Sequence, residues 1–243
     1  MAGLEGTLSE LTIESSYLKD TIKLSVYKPA NYTPLKSYSL LVCQDGSDYF
    51  QLGRIPRQAE ALIEEMEMRE SIIVGVPYPD VQTRKTWYHP DSEHASDYRR
   101  FLACELLPFL EKELPTEPLS NGRTLAGDSL AATVSLQTAL EYPSLFGQVI
   151  MHSPYVNETV KSAVQSYNKN DSLTIYHVIG TEETVVKTTD GSKEDFLTPN
   201  RELRALLEET HFSYTYHEFE GNHTWTHWQK DLPRALKTVL PYA

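Results

Sequence analysis

Apolar positions along the 243-residue chain fall into two alternating regimes. Short runs at 39–44, 71–76, 123–126, 148–152 and 173–179 are rich in Val, Ile, Leu and Ala, as strands covered on both faces are. The runs at 8–14 and 22–27 instead alternate polar with apolar, the pattern of antiparallel edge strands with one solvated face. An alternating stretch at 213–219 brings the number of predicted strands to eight. Between the strands, apolar residues recur at helical spacing over 57–68, 95–114, 130–142, 199–209 and 228–240. Pro199, followed closely by Glu202, gives the fourth of these helices reasonable start chemistry. Strand and helix in alternation, joined by right-handed crossovers, predict an α/β fold. Its core would be a twisted, mostly parallel sheet of about eight strands with helices on both faces. No linker or internal repeat interrupts the pattern, so one domain over 1–243 is expected.

Ligands on such a sheet bind outside the carboxyl ends of the strands, so the loops leaving those ends are the ones to search. The strand at 123–126 runs into Gly127-Asp128-Ser129-Leu130-Ala131 and then directly into a helical pattern. Strand, sharp turn carrying a serine, then helix is the context of a nucleophile elbow, with small residues at Gly127 and Ala131 to permit the turn. Ala131 stands where the G-x-S-x-G pattern has its second glycine, and a serine before a helix also suits a plain N-cap. The second signal is Gly221-Asn222-His223-Thr224-Trp225, on a turn just past the last strand. A histidine there can reach over the sheet toward Ser129, whereas an isolated loop histidine would only bond locally. The loop Gln44-Asp45-Gly46-Ser47-Asp48 follows the third strand, where one oxyanion-hole amide is expected. Ser47 or Asp48 would supply it, Gly46 would let the chain turn, and the other amide would be that of Leu130. A surface turn is the competing reading of Asp-Gly-Ser-Asp.

Four segments together resemble the esterase D and enterochelin-esterase branch of the α/β-hydrolases. They are Leu41-Val42-Cys43-Gln44-Asp45-Gly46, residues 98–114 with Glu105-Leu106-Leu107-Pro108, residues 123–154 with His152-Ser153-Pro154, and residues 221–228 as Gly-x-His-x-Trp-x-x-Trp. The resemblance spans nearly the whole chain in order and spacing. It implies an α/β-hydrolase fold and a serine carboxylic-ester hydrolase that works through an acyl-enzyme with a Ser-His-acid triad and no cofactor. Ser129 and His223 take the serine and histidine roles. Related esterases carry an acid three residues after a glycine at the seventh strand, which maps onto Glu183; Glu182 is the second candidate, and Asp190 or Asp195 the third.

Composition narrows the partners. Lys plus Arg total 22 against 34 acidic residues, a net charge of −12, which disfavours nucleic acid and anionic membranes. No run is long enough to span a bilayer, and residues 1–12 show no charged-then-apolar leader. Cys43 and Cys104, in a predicted strand and helix, are expected to be buried free thiols. A cytoplasmic protein is the expectation. Cys/His spacing typical of a metal site is absent, so no metal is expected.

The partner is then a small-molecule ester. Arg84 and Trp87, in a loop predicted over 77–90, together with Tyr49 and Trp225, are candidate substrate-binding residues. Arg84 would meet an anionic part of the substrate and the aromatics would stack on rings. Packing onto the domain is the alternative for these aromatics, and Trp228 is expected in the core. His152 suits a packed structural role, and His89, His94, His177, His211, His217 and His227 lack a partner pattern. The resemblance allows siderophore trilactones, S-formylglutathione, feruloyl or acetyl sugar esters and small aryl esters. A siderophore trilactone is favoured, with a general short-chain or S-formylglutathione-type esterase, or a hydrolase-fold binding protein without turnover, as alternatives.

Overall fold

The computed structural model describes residues 4–188 and 191–242. Its strands are β1 (Thr7–Ser15), β2 (Asp20–Lys28), β3 (Ser39–Gln44), β4 (Ser71–Val76), β5 (Arg123–Asp128), β6 (Gln148–His152), β7 (Thr174–Gly180), β8 (Val186–Lys187), β9 (Lys193–Glu194) and β10 (Ser213–Phe219). Its α-helices are α1 (Gly46–Gln51), α2 (Ile55–Glu64), α3 (Val81–Tyr88), α4 (Ala95–Arg100), α5 (Leu107–Glu113), α6 (Leu130–Glu141), α7 (Glu158–Gln165), α8 (Leu197–Glu208) and α9 (Trp225–Val239). Eight strands form one sheet in the order β1-β2-β4-β3-β5-β6-β7-β10. β1 and β2 are antiparallel, and β4, β3, β5, β6, β7 and β10 run parallel. This is the α/β-hydrolase architecture that the sequence predicts.

Side-chain alternation along the central strands builds two cores, one on each face of the sheet. Leu40, Val42, Leu125, Val149, Met151 and Ile175 join the cluster that includes Phe101 and Leu106 of the α4–α5 segment and Val134 of α6. Their neighbours Leu41, Cys43, Ala126, Ile150, Tyr176 and Val178 join the other, with Ile55 and Ala59 of α2 and Leu232 and Leu236 of α9. Covering both faces explains why these strands read as nearly unbroken apolar runs.

Several elements depart from the sequence expectation, among them α7 and the β8–β9 hairpin, which the periodicity does not predict. Residues 46–51 and 81–88, predicted as loops, are the short helices α1 and α3. α3 is started by Asp80, whose carboxylate accepts from the amides of Gln82 (2.9 Å) and Thr83 (3.0 Å). The helix predicted over 95–114 widens into π-turns at Phe101–Leu106. Pro108 lacks an amide, and in a regular helix its ring would strike the carbonyl of Cys104; the wider turns relieve that conflict. Cys104 is exposed rather than buried, because it lies on the outer face of this segment, while Cys43 is buried in β3; both are free thiols. Among the described residues, no helix is long and apolar enough to cross a membrane.

A buried polar network ties β7, β10 and α8. His177 Nε2 lies 2.7 Å from Asn200 Oδ1, and Asn200 Nδ2 donates to the carbonyls of Pro154 and Phe196. The amide orientation therefore puts the ring proton on Nε2, and Nδ1 accepts from the Tyr214 hydroxyl at 2.8 Å. Burial, reinforced by the Arg204 charge against the opposing Asn200 bond, lowers the His177 pKa from 6.5 to about 4. The native state thus resists a proton that the unfolded chain accepts, so stability falls as pH drops from 6.5 towards 4. Between pH 7 and 4.5, urea unfolding of the wild type should lose roughly 2–3 kcal/mol more than that of His177→Gln. Parallel losses would show that His177 titrates freely in the native state.

Candidate active site

The parallel register brings five loops to one edge. β5 pairs with β6 as far as Asp128↔His152, β6 with β7 at His152↔Val178, and β7 with β10 at Gly180↔Phe219. The segments leaving β3, β5, β6, β7 and β10 therefore stand side by side, carrying Ser47, Ser129, Ser153, Glu183 and His223.

Ser129 occupies a left-handed backbone conformation, φ 53° and ψ −125°, between β5 and α6. Its amide donates to the His152 carbonyl at 2.9 Å, and its own carbonyl accepts from the amides of Ala132 and Thr133. Strand and helix close so tightly that a Cβ on Gly127 would collide with the backbone of Ala131. The close approach is made at Gly127; the Ala131 methyl is itself fully buried and accommodated. A non-glycine residue held at positive φ stores strain, which here lifts Ser129 out of the regular backbone path.

Glu183 is fully buried in the turn after β7. His223 Nδ1 donates to Glu183 Oε2 at 2.6 Å. Glu183 Oε1 accepts from the Ser153 hydroxyl (2.7 Å) and the Gly180 amide (2.8 Å), and Ser153 Oγ in turn accepts from Trp228 Nε1 at 3.0 Å. A carboxylate only accepts, so the ring proton sits on Nδ1 and the lone pair on Nε2 is left as a base. The imidazole is held on two sides by Phe196, with centroids 4.5 Å apart, and Trp228, edge-on at 4.8 Å. Ser129 and His223 line the same cavity of about 120 Å³. Of the other acids, Glu182 and Asp195 are exposed, and Asp195 caps Thr198 instead. Asp190 lies outside the described residues.

On the β3 side, Ser47 falls in the first turn of α1, where backbone amides have no partner within the helix. The residue with positive φ is Asp45 (52°), not Gly46. Gly46 is needed for a different reason: a Cβ there would collide with the backbone of Gly75 in β4. Leu130, the first residue of α6, lines the cavity beside Ser129.

The family model described as "Putative esterase" matches residues 15–239. The chain belongs to this family, which is one of carboxylic ester hydrolases. YjcH of Bacillus subtilis (strain 168), an uncharacterized protein, is 50% identical over 240 residues, covering 99% of this chain and 100% of YjcH. An enterobactin esterase from Shigella flexneri, solved in the presence of enterobactin, superposes with a TM-score of 0.82 at 18% identity. That match covers 96% of this chain but 59% of the Shigella protein, so the chain spans less than two thirds of its length. The BES protein from Bacillus cereus superposes with a TM-score of 0.74 at 18% identity, covering 96% of this chain and 94% of that one. At such identities the solved structures speak to the fold.

Three of the four substrate-binding candidates sit elsewhere in this esterase. Trp87 is buried and stacked on Tyr98, centroids 5.4 Å apart, because α3 turns it inward. Tyr49 is fully buried; its hydroxyl lies 3.0 Å from His152 Nδ1 and Trp225 packs edge-on against its ring. Trp225, half-buried at the start of α9, is absent from the cavity lining. Arg84 does line the cavity, but its guanidinium is committed to Asp45 through Nε (2.9 Å to each oxygen) and Nη2 (2.6 Å). The cavity wall is instead completed by Tyr155, Phe196, Lys85, His89 and, from the β8–β9 hairpin, Val186 and Lys187. Sequence reasoning missed the hairpin because its strands are two residues long. It missed Ser153 because a lone serine after a strand carries no pattern, although Ser153 sits at φ 48°.

Ser153→Ala removes one donor from the buried Glu183 carboxylate and the acceptor of the Trp228 indole. Urea denaturation should show a destabilisation of about 1–3 kcal/mol, the cost of an unmet buried polar group. No measurable change would mean that the Glu183 carboxylate does not depend on this donor.

Proposed function

We propose that the protein is a serine ester hydrolase of one α/β-hydrolase domain, with Ser129 as nucleophile, His223 as general base and Glu183 as the orienting acid. The reading is carried by the 2.6 Å bond from His223 Nδ1 to the buried Glu183, made at the cavity that Ser129 also lines on its strained turn. His223 Nε2 takes the Ser129 hydroxyl proton as Oγ attacks the ester carbonyl carbon. The tetrahedral oxyanion is held by the backbone amides of Leu130 and Ser47, and its collapse expels the alcohol, which takes the proton from His223. Water, activated by the same imidazole, then releases the acid from Ser129. Glu183 keeps the ring in the Nδ1–H tautomer and stabilises the imidazolium without accepting the proton. The two free thiols suit a reducing compartment such as the cytoplasm.

The walled part of the cavity, about 120 Å³, is small beside typical ligand pockets of roughly 300–1,000 Å³. It accommodates one acyl arm, with the remainder of the ester resting on the open rim. Despite the −12 net charge, the β8–β9 hairpin brings Lys187 to the edge of this cavity. Tyr155 and Phe196 add aromatic surface. These features favour an ester with anionic, aromatic arms, and a catecholate siderophore trilactone is the substrate proposed, with Lys187 in the charge-recognition role first expected of Arg84.

Ser129→Ala and His223→Ala should each abolish hydrolysis of p-nitrophenyl acetate, and a serine-directed phosphonate should label the wild type once. Glu183→Gln should lower turnover by up to ~10⁴-fold. Normal turnover in His223→Ala would overturn the assignment.

Lys187→Ala should raise KM for a ferric catecholate lactone several-fold while leaving p-nitrophenyl acetate hydrolysis unchanged. Good turnover of p-nitrophenyl acetate with none of any catecholate lactone would leave a general carboxylesterase.

A further inference from the structure

The two amides assigned to the oxyanion belong to turns that no ladder joins directly. β3 and β5 are paired only as far as Cys43↔Ala126, and both chains continue beyond that point without a shared ladder. Asp45 and Ser129, the residues that turn these chains into α1 and α6, both carry strained positive φ values, 52° and 53°. Beyond that point β3 stays paired with β4 through Gln44 and β5 with β6 through Asp128, so the sheet sets the spacing of the two turns only through other strands, and a direct tie would fix it.

Arg84 of α3 spans the gap. Its Nε and Nη2 grip the Asp45 carboxylate, and the same Nη2 lies 3.5 Å from the carbonyl oxygen of Asp128, the peptide that leads into Ser129. The guanidinium is almost fully buried, at 8% exposure, as are both aspartates. Burial works against its charge, but Asp45 outweighs that and keeps Arg84 protonated. Burial raises the Asp45 carboxyl too, but its oxygens receive the guanidinium directly, whereas Asp128 meets it at the backbone carbonyl. Burial, with repulsion from Asp45, pushes the Asp128 carboxyl well above the usual range, and Oδ1 has no hydrogen-bond partner. The Arg84 charge is therefore matched to Asp45, and the contact to the elbow runs through a backbone carbonyl. A planar fork can meet a carboxylate and a carbonyl in fixed geometry; an ammonium cannot.

We infer that Arg84 is a positioning residue for turnover: by tying Asp45 to the carbonyl of Asp128, it sets the spacing of the Ser47 and Leu130 amides so that both reach one oxyanion. The inference rests on the esterase reading above. Donors that are misplaced weaken binding of the tetrahedral state and leave the planar ground state almost untouched.

The test uses Arg84→Lys, which keeps the charge and loses the fork, checked for native circular dichroism. On p-nitrophenyl acetate, kcat should fall about 10–100-fold with KM within about twofold. Affinity for a trifluoromethyl ketone, which adds to the serine as a tetrahedral adduct, should fall by the same factor as kcat/KM, and affinity for acetate should not change. Should Arg84→Lys not fold, Asp45→Asn, which preserves size, carries the same expectations; where both fold, the double variant should lose little beyond either single one. An active wild type beside variants with kcat within twofold, or with ketone and acetate affinities reduced alike, overturns the inference alone. A wild type that neither hydrolyses the ester nor reacts with a serine-directed phosphonate overturns the esterase reading and this inference together.

Discussion

The parallel register of β3, β5, β6, β7 and β10 is the constraint from which the candidate site follows. Each strand ends at the same edge, so residues far apart in the chain are delivered to neighbouring positions without any long loop having to find them. Glu183 and His223 are 40 residues apart and meet at 2.6 Å because β7 and β10 are paired through Gly180↔Phe219. The close packing that holds these ends leaves no room for side chains at Gly46, Gly127 and Gly180, where a Cβ would strike backbone. Pairing of β7 with β10 through their last residues is what brings the Glu183 and His223 side chains together.

Buried polar groups around that edge are arranged in two distinct ways. On the His223 side, the Glu183 carboxylate receives the imidazole, a hydroxyl and an amide, and the indole of Trp228 completes the chain of donors. On the α1 side, Asp45, Asp48 and Asp128 surround one guanidinium, and burial raises all three carboxyls against the lowering influence of Arg84. The first arrangement fixes the His223 ring against a buried side chain. The second pairs Arg84 with Asp45 and leaves a further contact to the Asp128 carbonyl. Beneath them, His152 joins the halves: its Nδ1 meets the Tyr49 hydroxyl of α1 and its Nε2 faces Asp231 of α9 across 3.4 Å.

Acidic residues dominate the chain, but the described lining of the candidate cavity includes Lys187 of the β8–β9 hairpin. Lys187 and Lys193 stand directly opposite each other in the β8–β9 register, a like-charge pair that a two-stranded hairpin gains nothing from on its own.

Sequence alone determined the eight sheet strands, the turn that carries Ser129 and the loop that carries His223, since each follows from local pattern: unbroken apolar runs, a strand-serine-helix string, and a glycine turn after the last strand. The choice of Glu183 over Glu182 rested on resemblance, because nothing in the adjacent pair says which side chain points inward. Tertiary packing made that choice, burying Glu183 under Ser153 and Trp228 while leaving Glu182 in solvent. The binding wall was the least legible part. Arg84, Trp87 and Tyr49 have the composition of a binding surface, but α1 and α3 are short helices whose orientation depends on what they pack against. That packing turned Trp87 onto Tyr98, Tyr49 onto His152 and Arg84 onto Asp45. Local periodicity specifies which residues form an element; which way a six- or eight-residue helix faces is decided by contacts with residues distant in the chain, and those exist only once the sheet has formed.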